Sequence, residues 1–264
     1  MSSTQPIGIF DSGVGGTSIW KEIHELLPYE KTIYLADSKN APYGTKPVEE
    51  IINLSRKNTE KLLEMGAKII VVACNTATTN AIKILRNSYD VPFIGIEPAI
   101  KPAALHSKTK AIGILATKGT LSSELFHKAS EIYSKDIQII EVGGNGLVEL
   151  IESGKKDSAQ TKRLLLKILQ PMLEQSIDYL VLGCSHYPYL MPVLKEILPQ
   201  EVQLIDSGEA VARQTRVILA QNKLLSPESG EKPIPEFFSN TDPGVLASLI
   251  NAEENNYKVS QFDF

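Results

Sequence analysis

The chain has 264 residues, of which 42% are hydrophobic and 22% charged, a globular composition with enough apolar material for two ordinary α/β lobes. Its net charge of −4 and its scattered basic and aromatic residues argue against nucleic acid or an anionic membrane as a partner. No apolar run approaches the roughly 20 residues of a membrane span, and the first residues lack a secretory signal pattern. We therefore expect a cytoplasmic protein, in which two cysteines do not form a structural disulfide.

Strand-forming and helix-forming segments alternate along the first part of the chain. The pattern predicts strands at 7–10, 32–36 and 69–73, and helices at 17–27, 47–65 and 78–87. Pro47 suits the first turn of the second helix, and Gly66 suits its end. Such alternation predicts βαβ units and a mainly parallel sheet.

The same rhythm then starts again. The segment 111–120 echoes 7–13, a strand at 137–142 echoes 32–36, and a strand at 179–183 echoes 69–73. A helix at 157–176, kinked or restarted at Pro171, completes the repeat. We interpret this as an internal duplication. The predicted fold is α/β, with two pseudo-symmetric lobes that are each a mainly parallel sheet flanked by helices, and with the active site in the cleft between them.

The C-terminal part is expected to return to the first lobe. It contains a predicted helix at 207–224, an exposed loop at 225–236, a strand at 236–239 and a final helix opened by Asp-Pro-Gly at 242–244. The first lobe would then comprise 1–97 together with 208–264, and the second lobe 98–207.

The only two cysteines of the chain follow matching strands. Cys74 follows the run 69–73 and Cys184 follows the run 179–183, and two polar residues come after each of them. Ligands of open α/β sheets bind beyond the carboxyl ends of the strands. The sequence therefore predicts one thiol on each side of a shared cleft.

Thiols in these positions are compatible with several kinds of chemistry. A metal site is disfavoured, because the two cysteines and four histidines include no Cys-x-x-Cys and no closely spaced His pair. A redox dithiol usually keeps both thiols at one helix start, and a small buried Cys at a strand end is the plain alternative for each. Two opposed thiols can also remove a proton from one face of a carbon and return one to the other. That reaction inverts a stereocentre without a cofactor, provided that backbone N–H groups stabilise the carbanion.

Two loops and one histidine lie at related positions. The loop 11–16, Asp-Ser-Gly-Val-Gly-Gly, suits a tight turn that binds an anion, although Asp11 or Ser12 could simply cap the next helix. Tyr43, in the loop 41–45, can bind a carboxylate, but these residues also suit an ordinary turn. His186 can protonate or polarise a group beside the second thiol, or be a satisfied structural histidine.

Four motifs together resemble the glutamate racemases of the aspartate/glutamate racemase family. They are Phe-Asp-Ser-Gly-Val-Gly-Gly at 10–16, Ala-Pro-Tyr-Gly at 41–44, Ala-Cys-Asn-Thr-Ala at 73–77 and Gly-Cys-Ser-His-Tyr-Pro at 183–188. The match is ordered and spans nearly the whole chain. The resemblance implies cofactor-independent proton transfer that interconverts L- and D-glutamate, the latter for bacterial peptidoglycan precursors. It also implies that glutamate is the partner and that a homodimer is possible.

The resemblance further implies roles for individual residues. Cys74 would attack D-glutamate and Cys184 would attack L-glutamate, the opposite thiol returning the proton. Asp11 would assist the first thiol, His186 would assist the second, and Glu152 matches a further acid near it. The positions that would bind the substrate are Asp11, Ser12, Tyr43, Gly44, Asn75, Thr76, Ser185 and His186.

The chain departs from the family pattern at two places. Ser185 stands where the family usually has Thr, which keeps the hydroxyl but removes a methyl group and is expected to loosen the site. Gly-Gly-Asn-Gly at 143–146 replaces a stretch that usually resembles Cys-Pro-Leu-Phe, which predicts a more flexible cleft wall. Neither change removes a proton-transfer group.

Three other functions remain open from the residues alone. A racemase for aspartate would differ by one methylene of substrate, which an apolar pocket discriminates by only about 1–3 kcal/mol. A catalytically silent amino-acid-binding or regulatory protein could share the fold, although both thiols, Asp11 and His186 are intact. A redox protein would form a reversible disulfide between Cys74 and Cys184, which requires the two sulfurs to meet.

Overall fold

The computed structural model describes residues 2–264, and its strands lie in two separate sheets. The strands are β1 (Ile7–Asp11), β2 (Thr32–Ala36), β3 (Ile69–Val72), β4 (Phe93–Gly95), β5 (Ala111–Ala116), β6 (Gln138–Gly143), β7 (Tyr179–Gly183), β8 (Gln203–Ile205), β9 (Glu236–Ser239) and β10 (Lys258–Gln261).

Helices connect most of these strands. They are α1 (Thr17–Leu26), α2 (Val48–Glu64), α3 (Asn75–Ser88), α4 (Ile100–His106), α5 (Lys118–Leu121), α6 (Glu124–Glu131), α7 (Leu147–Glu152), α8 (Ala159–Leu173), α9 (Met191–Ile197), α10 (Gly208–Gln221), α11 (Gly244–Leu249) and α12 (Ala252–Asn255). Among residues 2–264, no helix has both the length and the apolar character that a bilayer crossing requires.

Both sheets are parallel, and they share one strand order. The first sheet runs β10-β9-β2-β1-β3-β4 and the second runs β6-β5-β7-β8, so β2-β1-β3-β4 corresponds to β6-β5-β7-β8. We call the six-stranded sheet with its helices the first lobe, and the four-stranded sheet with its helices the second lobe. This arrangement confirms the predicted α/β fold with two similar lobes.

The central strands explain why the sequence folds in this way. Every residue of β1, β3 and β5 is buried, and β7 is buried except at its first residue. Strands covered by helices on both faces require near-continuous apolar runs, and these four segments supply them. The edge strand β6 is only partly buried and carries polar residues. The carboxyl ends of β3 and β7 consequently occupy equivalent positions in the two lobes.

The last strands of the chain pair with the first sheet. Strand β9 pairs in parallel with β2, β10 extends the sheet, and α10 packs on α1. The chain therefore crosses between the sheets twice, after β4 and after β8. The hydroxyl of Ser207 donates a hydrogen bond to the carbonyl of Glu97, which joins the two crossings. The lobe boundaries proposed at 97/98 and 207/208 remain predictions that lie close to this junction.

Several predicted boundaries were wrong in instructive ways. Helix α3 begins at Asn75 rather than Thr78, because the thiol of Cys74 caps its first turn. Helix α8 does not restart at Pro171 but continues to Leu173, so the missing N–H of proline falls in its last turn. The short strands β4, β8 and β10 and several short helices lacked a periodic pattern long enough to predict them.

Candidate active site

The two thiols lie at the matching strand ends and face a shared buried region. Cys74 is 4% exposed and its Sγ accepts a hydrogen bond from the backbone N–H of Ala77 at 3.4 Å. The same sulfur lies 3.6 Å from the hydroxyl of Ser12. Cys184 is 6% exposed and its Sγ lies 3.8 Å from Nδ1 of His186. Both thiols are free.

The carboxylate of Asp11 shapes the loop 11–16 and also reaches across the cleft. Its Oδ2 accepts hydrogen bonds from the backbone N–H groups of Gly16 at 2.9 Å and Gly13 at 3.3 Å. Its Oδ1 accepts a hydrogen bond from the hydroxyl of Ser185 at 3.1 Å. Helix α1 begins after Gly16 without a side-chain cap, so neither Asp11 nor Ser12 caps it in the way the alternative expected. Asp11 instead ties the loop 11–16 together and contacts Ser185 of the second lobe.

His186 stands between the second thiol and two carboxylates. Its Nε2 lies 2.6 Å from Oε1 of Glu152, and its Nδ1 lies 3.9 Å from Oδ2 of Asp11. The imidazole is buried, and Nδ1 also contacts the hydroxyl of Ser185 at 3.4 Å. This histidine is therefore positioned by an acid on one side and presented to Cys184 on the other.

The electrostatics of this cluster favour an ionised Glu152–His186 pair. Burial disfavours the imidazolium, but hydrogen bonds to Cys184 and Glu152 and the charges of Asp11 and Glu152 raise the pKa of His186 well above its ordinary value. Burial also tends to raise the pKa of Glu152, but the hydrogen bond and charge of His186 outweigh it and hold that pKa below the usual range. The directions of these shifts favour the protonated form of the imidazole beside Cys184.

The environment of Cys74 is different. Burial and the negative charge of Asp11 raise the pKa of the Cys74 thiol, against smaller opposing effects of the hydrogen bonds from Ala77 and to Ser12. Burial likewise raises the pKa of Asp11, although the charge of His186 opposes it. The raised pKa makes Asp11 a better proton acceptor than an exposed aspartate. The two shifts together favour the thiol form of Cys74 beside a carboxylate of raised basicity.

The Glu152–His186 pair predicts how stability depends on pH. The folded-state pKa of His186 is raised above 6.5, so its contribution is complete below about pH 6.5 and is lost as the pH rises through that folded-state pKa. The folded-state pKa of Glu152 lies below 4.5, so its contribution is present above about pH 4.5 and is lost as the pH falls through the folded-state value.

We therefore expect His186→Asn to reduce the free energy of unfolding more at about pH 6 than at about pH 9. Urea unfolding of the variant and of the unaltered protein at both pH values measures the two differences. Equal losses at the two pH values would contradict an ionised pair in the folded state.

The loop around Tyr43 contacts the site in a way that the sequence only partly predicts. The hydroxyl of Tyr43 donates a hydrogen bond to a carboxylate, as expected, but this carboxylate is the side chain of Asp37 and not a ligand. The same hydroxyl accepts a hydrogen bond from Nδ2 of Asn58 at 3.0 Å. Only the backbone of Tyr43 and Gly44 is then left for a substrate. A Cβ on Gly44 would lie 2.6 Å from Cβ of Thr117 in the second lobe, so this loop requires glycine there.

Asn75 and Thr76 begin α3 directly after the first thiol. Both polar side-chain atoms of Asn75 are buried and have no partner within residues 2–264. The hydroxyl of Thr76 lies 2.7 Å from that of Thr117 and 3.3 Å from that of Thr120. An unpaired buried amide is costly unless a ligand satisfies it, which supports Asn75 as a substrate-binding residue.

Sequence reasoning missed Thr117 and Thr120. Thr117 and Thr120 follow β5, whereas Asp11 and Ser12 lie at the end of β1. Strands β5 and β1 hold equivalent places in the two sheets, so their carboxyl ends are equivalent too. The echo between 111–120 and 7–13 was the available signal. Because 7–13 leads into the cleft, the same echo predicts that the hydroxyls of Thr117 and Thr120 lie near the cleft.

Steric constraints explain why glycine occupies two positions of the segment 143–146. The buried hydroxyl of Tyr187 donates a hydrogen bond to the carbonyl of Gly144 at 3.2 Å, and a Cβ on Gly144 would lie 2.1 Å from that hydroxyl. Gly146 adopts φ +87°, a conformation that favours glycine. The greater flexibility expected for this wall stays a prediction.

Substitution of Asn75 should separate binding from stability. We expect Asn75→Ala to raise KM for the substrate by about 10- to 100-fold, the effect of losing hydrogen bonds to a charged group. The melting temperature should fall little, because the amide has no partner in the protein. Asn87→Ala, at an exposed position of the same helix, is the matched control. A KM equal to that of the control would exclude Asn75 from the binding site.

The fold and the paired thiols define a two-lobed α/β protein with one buried thiol at the equivalent strand end of each lobe. The model of the family described as Asp/Glu/Hydantoin racemase matches residues 7–215, and the chain belongs to that family of isomerases. A curated relative named glutamate racemase, from Herpetosiphon aurantiacus, is 44% identical over 93% of this chain and 96% of its own length. This confirms the resemblance seen in the four motifs.

Solved structures give the same result. The glutamate racemase of Escherichia coli, in complex with L-glutamate and the activator UDP-MurNAc-Ala, is 32% identical and covers 98% of both chains with a TM-score of 0.85. That of Francisella tularensis, in complex with D-glutamate, is 26% identical with a TM-score of 0.83 and covers 99% of this chain and 98% of its own.

Proposed function

We propose that this chain interconverts L- and D-glutamate without a cofactor, by transferring protons at the α-carbon between Cys74 and Cys184. The observation that carries the proposal is the placement of one buried thiol at the equivalent strand end of each lobe. The substrate assignment is supported by the relatives, which are named glutamate racemases and whose structures hold L- or D-glutamate. D-glutamate made in this way supplies peptidoglycan synthesis, the role of the family.

The contacts of the two thiols suggest which of them acts first on L-glutamate. In the proposed reaction Cys184, whose Sγ lies 3.8 Å from Nδ1 of His186, takes the α-proton of L-glutamate. Cys74, protonated in its buried environment, gives its proton to the opposite face of the carbanion. After one turnover Cys184 carries a proton and Cys74 does not, which is the state that attacks D-glutamate. Each turnover therefore leaves the enzyme ready for the reverse reaction.

The carbanion needs stabilisation that the protein backbone can supply. Helix α3 has 14 residues and begins at Asn75, directly after Cys74, so the backbone N–H groups of Asn75 and Thr76 have no partner within the helix. These donors suit the α-carboxylate, on which charge accumulates as the proton leaves. The Asp11 carboxylate, buried and partly satisfied by Ser185, suits the substrate ammonium. Ser12, Thr76 and the backbone of Tyr43 and Gly44 are proposed to complete the binding of the substrate.

Location and assembly are further parts of the proposal. The two thiols are free, and a reducing cytoplasm would keep them so. A homodimer is proposed from the family resemblance, and light scattering of the purified protein would test it. A monomeric mass would contradict that part alone.

Optical rotation tests the proposed reaction. With no added cofactor, the purified protein should convert L-glutamate and, separately, D-glutamate to the racemate, and it should leave both enantiomers of aspartate largely unchanged. Faster loss of rotation with aspartate would change the substrate assignment. Unchanged rotation in all four samples would contradict racemase activity and favour a silent binding protein.

A further inference from the structure

The side chain of Glu152 joins the two lobes. It ends α7 of the second lobe, and its Oε1 accepts a hydrogen bond from the backbone N–H of Val14 in the first lobe at 2.7 Å. Its Oε2 accepts one from the hydroxyl of Ser38, also in the first lobe, at 2.8 Å. Within its own lobe it binds Nε2 of His186 at 2.6 Å. Both carboxylate oxygens are thus already engaged by the protein.

The backbone of the loop 11–16 lies very close to the carboxylate of Glu152. A Cβ on Gly13 would lie 1.9 Å from Oε1 of Glu152, so the loop 11–16 comes this near only because glycine stands there. The carboxylate is held within the loop that also carries Asp11 and Ser12. A substrate contact by Glu152 would require one of these hydrogen bonds to break.

The site itself must open for a substrate to enter. Asp11 is fully buried, and the two thiols are only 4% and 6% exposed, so glutamate cannot reach them while the lobes are in contact. The chain crossings joined by Ser207 and Glu97 keep the lobes connected, so the site opens only if the other contacts across the cleft separate. Separation must break the bonds of Glu152 to Val14 and Ser38.

We propose that Glu152, together with Ser38, is a latch that stabilises the closed cleft and positions His186 at the moment of closure, rather than a catalytic residue. The inference extends the proposed function by naming the group that links closure to the proton-transfer machinery. When the lobes part, Glu152 keeps His186 but loses both partners in the first lobe. The imidazole is therefore fully fixed only in the closed state.

The hydrogen bonds of Glu152 are only some of the contacts across the cleft, so losing one of them should favour opening only modestly. The hydroxyls of Thr17 and Tyr189 lie 2.6 Å apart, and the hydroxyl of Ser18 donates to the carbonyl of Ser185 at 2.8 Å. Removing one hydrogen bond should therefore raise the open fraction by about three- to tenfold, without abolishing closure.

Alkylation of the buried thiols measures opening directly. In the absence of substrate, iodoacetamide should modify Cys74 about three- to tenfold faster in Ser38→Ala and about tenfold faster in Glu152→Gln than in the unaltered protein. Peptide mass spectrometry follows each cysteine separately. Cys74 is the decisive reporter, because it lies in the first lobe, away from His186. Glu149→Gln, at an exposed position of the same helix, is the matched control and should match the unaltered protein.

Steady-state kinetics separate closure from proton transfer. Ser38→Ala leaves the contact between Glu152 and His186 in place, so kcat should be retained. KM should change by less than about threefold, because the closed free enzyme and the closed complex lose the same hydrogen bond. Glu152→Gln should change both constants. An unchanged alkylation rate of Cys74 in both variants would overturn the latch, whatever their activity. Absence of racemisation by the unaltered protein would instead overturn the proposed function, since alkylation does not depend on it.

Ser38→Ala also shows whether faster alkylation comes from opening of the cleft or from a general loss of folding. Its side chain is small and only partly buried, so its circular dichroism and melting temperature should stay close to those of the unaltered protein. Faster alkylation in a variant that melts normally supports opening of the cleft. Faster alkylation that accompanies general unfolding of Ser38→Ala would contradict the latch.

Discussion

Replacement of Cys74 by Ser is expected to lower kcat for racemisation of either enantiomer by about 10³-fold, and Cys184→Ser should do the same. A serine hydroxyl is too weak an acid to exchange a proton with the α-carbon in place of a thiol. Binding of glutamate should change little, because Ser has nearly the shape of Cys. Initial rates in both directions measure the first effect and titration calorimetry the second.

Thermodynamics limits how such a variant can behave. The two enantiomers have equal free energy, so kcat/KM must fall by the same factor in both directions. The direction-dependent signature is isotopic. In D₂O, Cys184→Ser retains the thiol of Cys74 and should exchange the α-proton of D-glutamate without inverting it, whereas Cys74→Ser should exchange that of L-glutamate. Turnover at the unaltered rate in either single variant would contradict the opposed-thiol mechanism.

Gly15→Ala is expected to lower kcat/KM by about 10²-fold or more, although it adds only one methyl group. A Cβ at this position would lie 2.2 Å from Nδ1 of His186 and 2.7 Å from its Cε1. The buried imidazole would have to move, which disturbs its 3.8 Å contact with Cys184 and its 2.6 Å contact with Glu152. A displacement of this size at a proton-transfer group accounts for the expected loss.

Gly143→Ala provides the comparison for that variant. At Gly143 the nearest atom to an added Cβ lies 3.7 Å away, which is ordinary contact, so activity should stay near that of the unaltered protein. Circular dichroism would show whether Gly15→Ala folds. A folded Gly15→Ala protein with full activity would mean that His186 can act from another position, and the role given to it here would be wrong.

The architecture was predictable because it depends on apolar runs and spacings that are visible in short stretches of the sequence. The apolar runs of β1, β3, β5 and β7 and their spacing predict two parallel sheets, and the echo between the cysteine strands predicts equivalent places for Cys74 and Cys184. The start of α3 was not predictable in the same way, because Cys is not a usual N-cap residue. Short edge elements such as β8 carry too few residues for a periodic signal.

The chemistry of the site was predictable only in part. Motifs identified Asp11, both cysteines and His186, but not which carboxylate each side chain touches. The contacts of Glu152 join residues separated by 138 and 114 positions, and such pairs leave no local trace in one sequence. The hydroxyl of Tyr43 illustrates the same limit, because its chemistry was predicted correctly while its partner, Asp37, follows from packing.

Incorporation of solvent deuterium during the first turnovers tests the two-thiol account most directly. The purified protein would be mixed with protiated D-glutamate in D₂O without a cofactor, and the two enantiomers separated and examined by proton NMR. We predict that the L-glutamate formed carries deuterium at the α-carbon from the outset, while the remaining D-glutamate keeps its proton, because one thiol removes and the other donates. L-glutamate that retains the substrate proton, or no L-glutamate at all, would contradict the account.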